Sequence, residues 1–418
     1  MTDSTIESST AINDLPAEIF EHVGKFLPAR DLAALRVVNR DSNSKILRHY
    51  VTENFSTVSI LVCDINSIRA AADLVEHPVF GPAIRRVELC VDSIVCNSTM
   101  PPRGPREAPE AIYQHCEVSA DISKLEALNR ERTNMSLDIG DYEDEKLFRQ
   151  IWQKLKALGT LEAVHLTDVR VASRSPLLYS KFQAAGGFCY PVILDSNTLQ
   201  WTICALGTLT KSSIPLQSLS MDQNRWALTI NEGGWTRGGR QQKPYEDRKM
   251  WPRLFSRTKA LRLAIFQKHC YRDSPLGSGF ALFLRYALAD AASLEKLSLE
   301  LASSKSEDEP DQWHMRYDQR CDRMYLLHGI NLPPGLKELE LRGGQIVMAE
   351  LADLIKGNPR LQKLALKKTV LIIGDNQTEH ISDGQGEDEQ VKEGLLQLVG
   401  ETSIELDISA ACIYVGPF

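Results

Sequence analysis

The sequence predicts an α/β chain in two parts: a small all-α unit of three short helices, then a longer array of short strands alternating with helices. Three observations lead there. Residues 15–50 carry apolar side chains at helical spacing, cut into short pieces by Pro16 and Pro28. Downstream, the pattern apolar-x-x-apolar-x-apolar returns again and again. The chain has 418 residues, far more than the helical unit needs, so a large second domain must follow.

The helices come first. Pro16 sits at the start of helix one, where a missing N–H costs nothing and the fixed φ suits the helix. Asp14 is placed to cap it, and Glu18 in the opening turn faces the positive end of the helix dipole. Ile19, Phe20, Val23, Phe26 and Leu27 make one apolar face. Pro28 closes this helix and opens the next, in which Asp31 lies in the first turn and Leu32, Leu35 and Val38 follow at helical spacing. Asn39 caps a third helix carrying Ile46, Leu47 and Tyr50. A unit of about 40 residues cannot bury a stable core alone, so it should expose apolar surface and want a partner.

The string Leu15-Pro16-x-Glu18-Ile19, then Phe26-Leu27-Pro28-x-x-Asp31-Leu32-x-x-Leu35-Arg36-x-Val38-x-Arg40, resembles an F-box. The resemblance covers residues 11–55, and residues 1–10, polar and acidic, are expected to form a disordered tail. It departs in helix three, where many members carry a Trp shortly after the Arg and this chain has the polar run Asp41 to Ser44. The resemblance implies docking onto the Skp-type adaptor of a cullin–RING ubiquitin ligase. The residues it assigns to that contact are Leu15, Pro16, Ile19, Val23, Leu27, Pro28, Leu32, Leu35 and Arg36. Replacing Leu15 and Pro16 together by Ala should then weaken adaptor binding while the C-terminal domain stays folded.

Composition excludes several classes. A net charge of −7 argues against nucleic-acid binding through bulk electrostatics. No run of 18 apolar residues exists, so no membrane span is expected. The polar N-terminus does not read as a signal peptide, which points to a cytoplasmic or nuclear protein. The nine cysteines are scattered, without a C-x-x-C pair, as reduced core residues would be rather than zinc ligands.

After the F-box-like unit, Thr57 to Cys63 reads as a strand and Ile65 to Glu76 as a helix ending before Pro78. Glu145 to Leu158 is an amphipathic helix. The recurring pattern appears at Ile84/Val87/Leu89, Leu161/Val164/Leu166, Leu216/Leu219/Met221, Leu294/Leu297/Leu299, Leu336/Leu339/Leu341 and Leu361/Leu364/Leu366. Shorter copies are Leu261/Leu263 and Leu406/Ile408. The last two apolar positions of each copy are two residues apart and share one side of a strand. Between the two clearest copies, Glu350 to Lys356 reads as a helix stopped by Gly357-Asn358-Pro359.

Residues 56–418 therefore resemble an irregular leucine-rich-repeat-like strand/helix solenoid, with an ordinary α/β domain as the alternative. The steps 221→263, 299→341 and 366→408 span 42 residues, 263→299 spans 36, and 341→366 spans 25. Regular repeats run about 20–29 residues. The longer steps imply loop insertions, placed at about 97–110, 235–253, 303–312 and 374–390. The signature Asn of the regular repeat is missing.

No catalytic constellation stands out. There is no G-x-S-x-G elbow, no phosphate loop, and no pair of histidines at H-x-x-x-H spacing. His115-Cys116 and His269-Cys270 are adjacent pairs whose side chains would diverge on a strand. The acidic runs at 141–145 and 306–311 read as solvated loops. No metal, cofactor or catalytic residue is expected.

One basic insert is left over: Trp235, Arg237, Arg240, Tyr245, Arg248 and Trp251, with further Lys and Arg to Arg257. Arg and aromatic residues carry binding energy at interfaces, so this insert is a candidate contact for an acidic or phosphorylated protein substrate. Its alternative is a solvated loop with the aromatics folded back on the core. The expected function is a non-catalytic substrate receptor of a Skp–cullin–F-box ubiquitin ligase, joining the adaptor, and through it a cullin, to an unknown protein substrate. Two others stay open: a scaffold that binds the adaptor without directing ubiquitination, and an enzyme whose site sequence spacing does not reveal.

Overall fold

Every copy of the recurring pattern becomes a strand, and all eight copies lie in one sheet. The computed structural model describes residues 15–62, 64–91, 143–167, 196–221, 244–266, 284–302, 331–343, 345–367, 369–373, 393–397, 404–409 and 412–415. It shows an α/β fold: N-terminal helices, then a nine-stranded all-parallel sheet alternating with helices, consistent with a leucine-rich-repeat-like architecture.

Three helices open the chain: α1 (Ala17–Gly24), α2 (Ala29–Val38) and α3 (Arg40–Phe55). Pro16 and Pro28 occupy the N-cap positions of α1 and α2, and the Asn39 side chain accepts a hydrogen bond from the Ser42 N–H at 2.7 Å to cap α3. One residue, Ser56, separates α3 from β1 (Thr57–Leu61). Then come α4 (Ile65–Glu76), a single 3₁₀ turn at Gly81–Ala83, β2 (Arg86–Cys90), α5 (Glu143–Leu158), β3 (Ala163–Thr167), α6 (Ser196–Ser212), β4 (Leu216–Met221), α7 (Pro244–Phe255), β5 (Thr258–Phe266) and β6 (Lys296–Ala302). The chain continues through β7 (Glu338–Arg342), β8 (Gln345–Val347), α8 (Met348–Lys356), β9 (Lys363–Lys367), β10 (Val370–Ile373), β11 (Glu405–Ser409) and β12 (Cys412–Val415).

The main sheet runs β1-β2-β3-β4-β5-β6-β7-β9-β11, in the order of the sequence. Its register sets the two strand positions of every copy level with their neighbours. One row reads Ile60, Leu89, Leu166, Met221, Leu263, Leu299, Leu341, Leu366, Ile408. The other reads Val58, Val87, Val164, Leu219, Leu261, Leu297, Leu339, Leu364, Leu406. From β1 to β9 these side chains are buried; on β11, Leu406 and Ile408 are half-buried. Burying each such side chain contributes about 1.5–3 kcal/mol, and the two rows supply the inner face of the core.

Helices α4, α5, α6 and α7 lie side by side along the sheet. Trp152 of α5 locks onto α6: its indole N–H reaches the Ala205 carbonyl at 3.0 Å and Thr208 Oγ1 at 3.1 Å. Phe148 stacks beside it with ring centroids 6.4 Å apart. In the last repeats a second, three-stranded parallel sheet forms, with β10 between β12 and β8. These short strands were not foreseen, since Val370 to Ile373 and Cys412 to Val415 are brief apolar runs without alternation.

The insert expected as a loop over 235–253 is corrected in its second half. Residues from Pro244 onward form α7, despite Pro252 inside it. Met250, Trp251, Leu254 and Phe255 recur at one-face spacing and are buried. That burial outweighs the hydrogen bond the proline removes. The inserts expected at 97–110, 303–312 and 374–390 lie outside the described residues. So do Asp14, His115-Cys116 and His269-Cys270.

Leu299 is fully buried between Leu263 and Leu341 in the first row. Leu299→Ala should cost about 2–5 kcal/mol, read as a lower urea midpoint by far-UV circular dichroism. Leu406→Ala, on the half-buried terminal strand, should shift it less.

Candidate docking surface

The three-helix unit has its own small core. Phe20 of α1, Leu32 of α2 and Ile46 of α3 meet in it, with Leu15, Leu27, Leu35 and Tyr50 packed around them. Gly24 lets α1 approach: a Cβ there would collide with the Ile46 side chain. Inward, then, α1 and the turn that follows it present Phe20, Gly24 and Leu27. Shifted by one residue, Ile19, Val23 and Phe26 form a second stripe at i, i+4 and i+7, and they are 49%, 37% and 77% exposed. His22 meets Phe26 edge-on, with ring centroids 5.4 Å apart. Val37 and Val38 are also exposed at the end of α2.

The residues assigned to the adaptor contact separate accordingly. Ile19 and Val23 are on the surface, Pro16 and Pro28 are exposed at the helix starts, and Leu15, Leu27 and Leu35 are half-buried. Leu32 is only 2% exposed, so its part is to hold α2 onto Phe20 and Ile46 rather than to meet a partner directly. Val38, which follows Leu32 and Leu35 at helical spacing, is exposed. Arg36 is engaged within the unit: its Nε donates to Asn43 Oδ1 at 3.0 Å, and its guanidinium lies 4.0 Å from the Tyr50 ring centroid. Phe26, Val37 and Val38 were not among the assigned residues. The spacing of Phe26 from Ile19 was the signal for it, because one apolar face of a helix this short cannot be two residues wide and wholly buried.

The basic insert does not assemble as one surface. Trp235, Arg237 and Arg240 lie outside the described residues, while Tyr245 and Arg248 fall in the first half of α7. Trp251 is a core residue, 8% exposed, with its ring 5.8 Å from that of Phe255. As a substrate anchor it is corrected: this aromatic folds back on the core.

Opposite the apolar rows, the sheet carries charge. Across β6, β7, β9 and β11 one level reads Lys296, Glu338, Lys363, Glu405, alternating in sign. Lys296 pairs with Glu338 at 2.7 Å and Lys363 with Glu405 at 2.6 Å. Further along the strands, Arg262 meets Glu300 at 3.0 Å, Arg342 meets Glu300 at 3.5 Å, and Lys367 meets Glu340 at 2.9 Å. Burial pushes the Glu340 carboxyl up, but the hydrogen bond and charge of Lys367, with Lys296 and Ser298, outweigh it and hold it below its usual range. The cations in these pairs are matched within the sheet, so this half of the face does not offer them as a free anion site.

Towards the other end the same face is buried and polar. Ser59 Oγ donates to Glu88 Oε2 at 2.6 Å, and His165 Nδ1 lies 4.0 Å from Glu88 Oε1, across β1, β2 and β3. The carboxylate stands between the hydroxyl and the imidazole. A nucleophilic serine needs its base in that place, so this arrangement ties strands together rather than activating Ser59. Cys204 on α6 is no nucleophile either: burial, then the nearby Asp144 and Glu145, push its thiol up to about 12. Among the described residues no group of three or more His, Cys, Asp or Glu is arranged to hold a metal ion, and no helix is long and apolar enough to cross a membrane.

No protein-family model and no curated protein matches this chain.

The charge lattice makes acid sensitivity testable. A carboxyl that titrates lower in the folded than in the unfolded chain stabilises the fold fully above its unfolded value, and loses that contribution as pH falls through its folded value. The wild type should melt higher than Glu340→Gln at neutral pH, and the two melting curves should converge on acidification below about pH 4.5, the ordinary carboxyl value. A gap in melting temperature that stays constant down to pH 3 would count against the pairing.

Proposed function

We propose that this chain is a substrate-receptor subunit of a Skp–cullin–F-box ubiquitin ligase. Its three-helix unit, read as an F-box, docks the adaptor; its leucine-rich-repeat-like domain holds a protein substrate. The observation that carries this reading is the second stripe of α1. A helix and following turn whose Phe20, Gly24 and Leu27 face their own core, while Ile19, Val23 and Phe26 face solvent, are suited to lie in an apolar groove of another protein. Leu15, Pro16, Leu27 and Pro28 lie near that stripe in sequence, and Leu35 packs against the same small core. Leu32 and Arg36 keep the unit in shape.

In this reading the chain performs no chemistry. It brings a substrate lysine close to the charged conjugating enzyme, which raises the effective concentration of the reacting groups. The support is of two kinds: the Leu-Pro, Pro-x-x-Asp-Leu and Leu-Arg spacings of the sequence, and the exposed stripe on the first helix of a unit joined to a long repeat-like sheet.

The test is co-purification of the full chain with a Skp-type adaptor and cullin. Ile19→Asp combined with Val23→Asp changes exposed positions and should leave the circular dichroism spectrum intact. Two lost apolar anchors at about 2 kcal/mol each correspond to roughly a thousandfold weaker adaptor binding. Wild-type protein that emerges without adaptor, or a double variant that binds as well as wild type, would sink the reading. Adaptor binding without any protein that accumulates when this chain is removed would favour the scaffold.

A further inference from the structure

A line of stacked rings crosses from the three-helix unit to the sheet domain. It starts at Arg36 on α2, whose guanidinium covers Tyr50 of α3 at 4.0 Å. Tyr50 meets Phe55, the last residue of α3, at 5.9 Å between centroids in an edge arrangement. Phe55 then stacks on Phe80 at 4.2 Å with an interplanar angle of 18°. Phe80 in turn stacks on His77 at 4.2 Å and 21°. Phe80 and His77 belong to the turn between α4 and β2, so the contact at Phe55–Phe80 joins one part of the chain to the other.

Two further observations bear on the same junction. Only Ser56 lies between α3 and β1, too little chain to act as a flexible linker. The Ser56 carbonyl accepts hydrogen bonds from the N–H groups of Arg85 at 2.8 Å and Arg86 at 2.9 Å, where β2 begins. Within the turn itself, His77 Nδ1 accepts from the Val79 and Phe80 N–H groups at 3.2 and 3.3 Å, which fixes the ring against which Phe80 lies. Gly81 comes next and must be Gly, because a Cβ there would run into the Val75 carbonyl of α4. The turn is thus held to α4, and Phe80 is presented to Phe55 by backbone that has little freedom.

We infer that Phe55 and Phe80 are positioning residues: their stack makes the three-helix unit and the sheet domain one rigid body. Aromatic pairs contribute beyond the area they bury, and here the pair joins the two parts at a second point beside the Ser56 backbone. The consequence for the proposed ligase subunit is that the direction in which the sheet faces relative to the adaptor is set by the chain itself. The rigidity stands or falls independently of the ligase reading, since it can be measured on the isolated protein.

The experiment is residual dipolar coupling of backbone amides in the full chain, comparing α1–α3 with β1–β9. In the wild type one alignment tensor should fit both sets. Phe80→Ala should keep the circular dichroism spectrum but require two tensors, with lower order for α1–α3. Phe80→Tyr keeps a ring and should restore the single tensor. Phe55→Ala, on the other side of the stack, should behave as Phe80→Ala does. Two tensors in the wild type would overturn the inference outright. A single tensor in both Ala variants would overturn the role of the rings and leave the Ser56 hydrogen bonds as the joint. Adaptor affinity measured on Phe80→Ala should equal that of wild type, because no residue of the α1 stripe is touched; if wild type binds no adaptor at all, only the ligase reading fails.

Discussion

Everything in this fold depends on nine parallel strands agreeing about level. Parallel strands cannot be joined by a tight turn, so each neighbour reaches its partner only after a crossover, and here the crossovers vary widely in length. No connection can therefore fix the register. What fixes it is written in each strand: two apolar residues, two positions apart, that must both enter the core. A slip by one residue would drive Leu297 and Leu299, or any equivalent pair, out to the charged face and bring Lys296 and Ser298 inward. The charged face reinforces the same choice, because Lys296 finds Glu338 and Lys363 finds Glu405 only at the observed level. Apolar rows and ion pairs thus specify one register from both sides of the sheet.

The three-helix unit is governed by the opposite circumstance, a shortage of interior. Phe20, Leu32 and Ile46 fill it, and the remaining apolar side chains of α1 have nowhere inside to go. A stripe of exposed apolar residues one position out of phase with a buried one is the natural result. Among the described residues of the sheet domain, Val79, Tyr286 and Leu396 are exposed but form no such stripe, since each helix can lay its apolar face on strands or on a neighbouring helix.

How much of this could be read in the sequence follows from the same physics. The strands were legible because their signal repeats: Leu336, Leu339 and Leu341 mean little alone and much beside Leu361, Leu364 and Leu366. The helix starts at Pro16, Pro28 and Asn39 were legible because local chemistry determines them. Side-chain direction within α1 was not, since Ile19 and Phe20 are both apolar and only the tertiary position of Ile46 decides which turns in. The same holds for Trp251, whose basic neighbourhood suggested a surface while Phe255 and the core drew it inward. The row of Ser59, Glu88 and His165 was invisible because its members lie in three strands far apart in sequence, brought level only by pairing.

The layer of helices behind the sheet bears on curvature. Strands stand about 4.8 Å apart, whereas packed helices need about 8–10 Å. Where α4, α5, α6 and α7 follow one another behind the sheet, each repeat is a wedge, wider at the back, and the strands must fan into an arc. In the last repeats α8 lies between β8 and β9 and contacts β8 and β10, so the small sheet adds strand pairing there without replacing the helix. Along β1–β5 the strands accordingly form the inner side of a curve. A partner lying against the face opposite these helices would meet a concave surface.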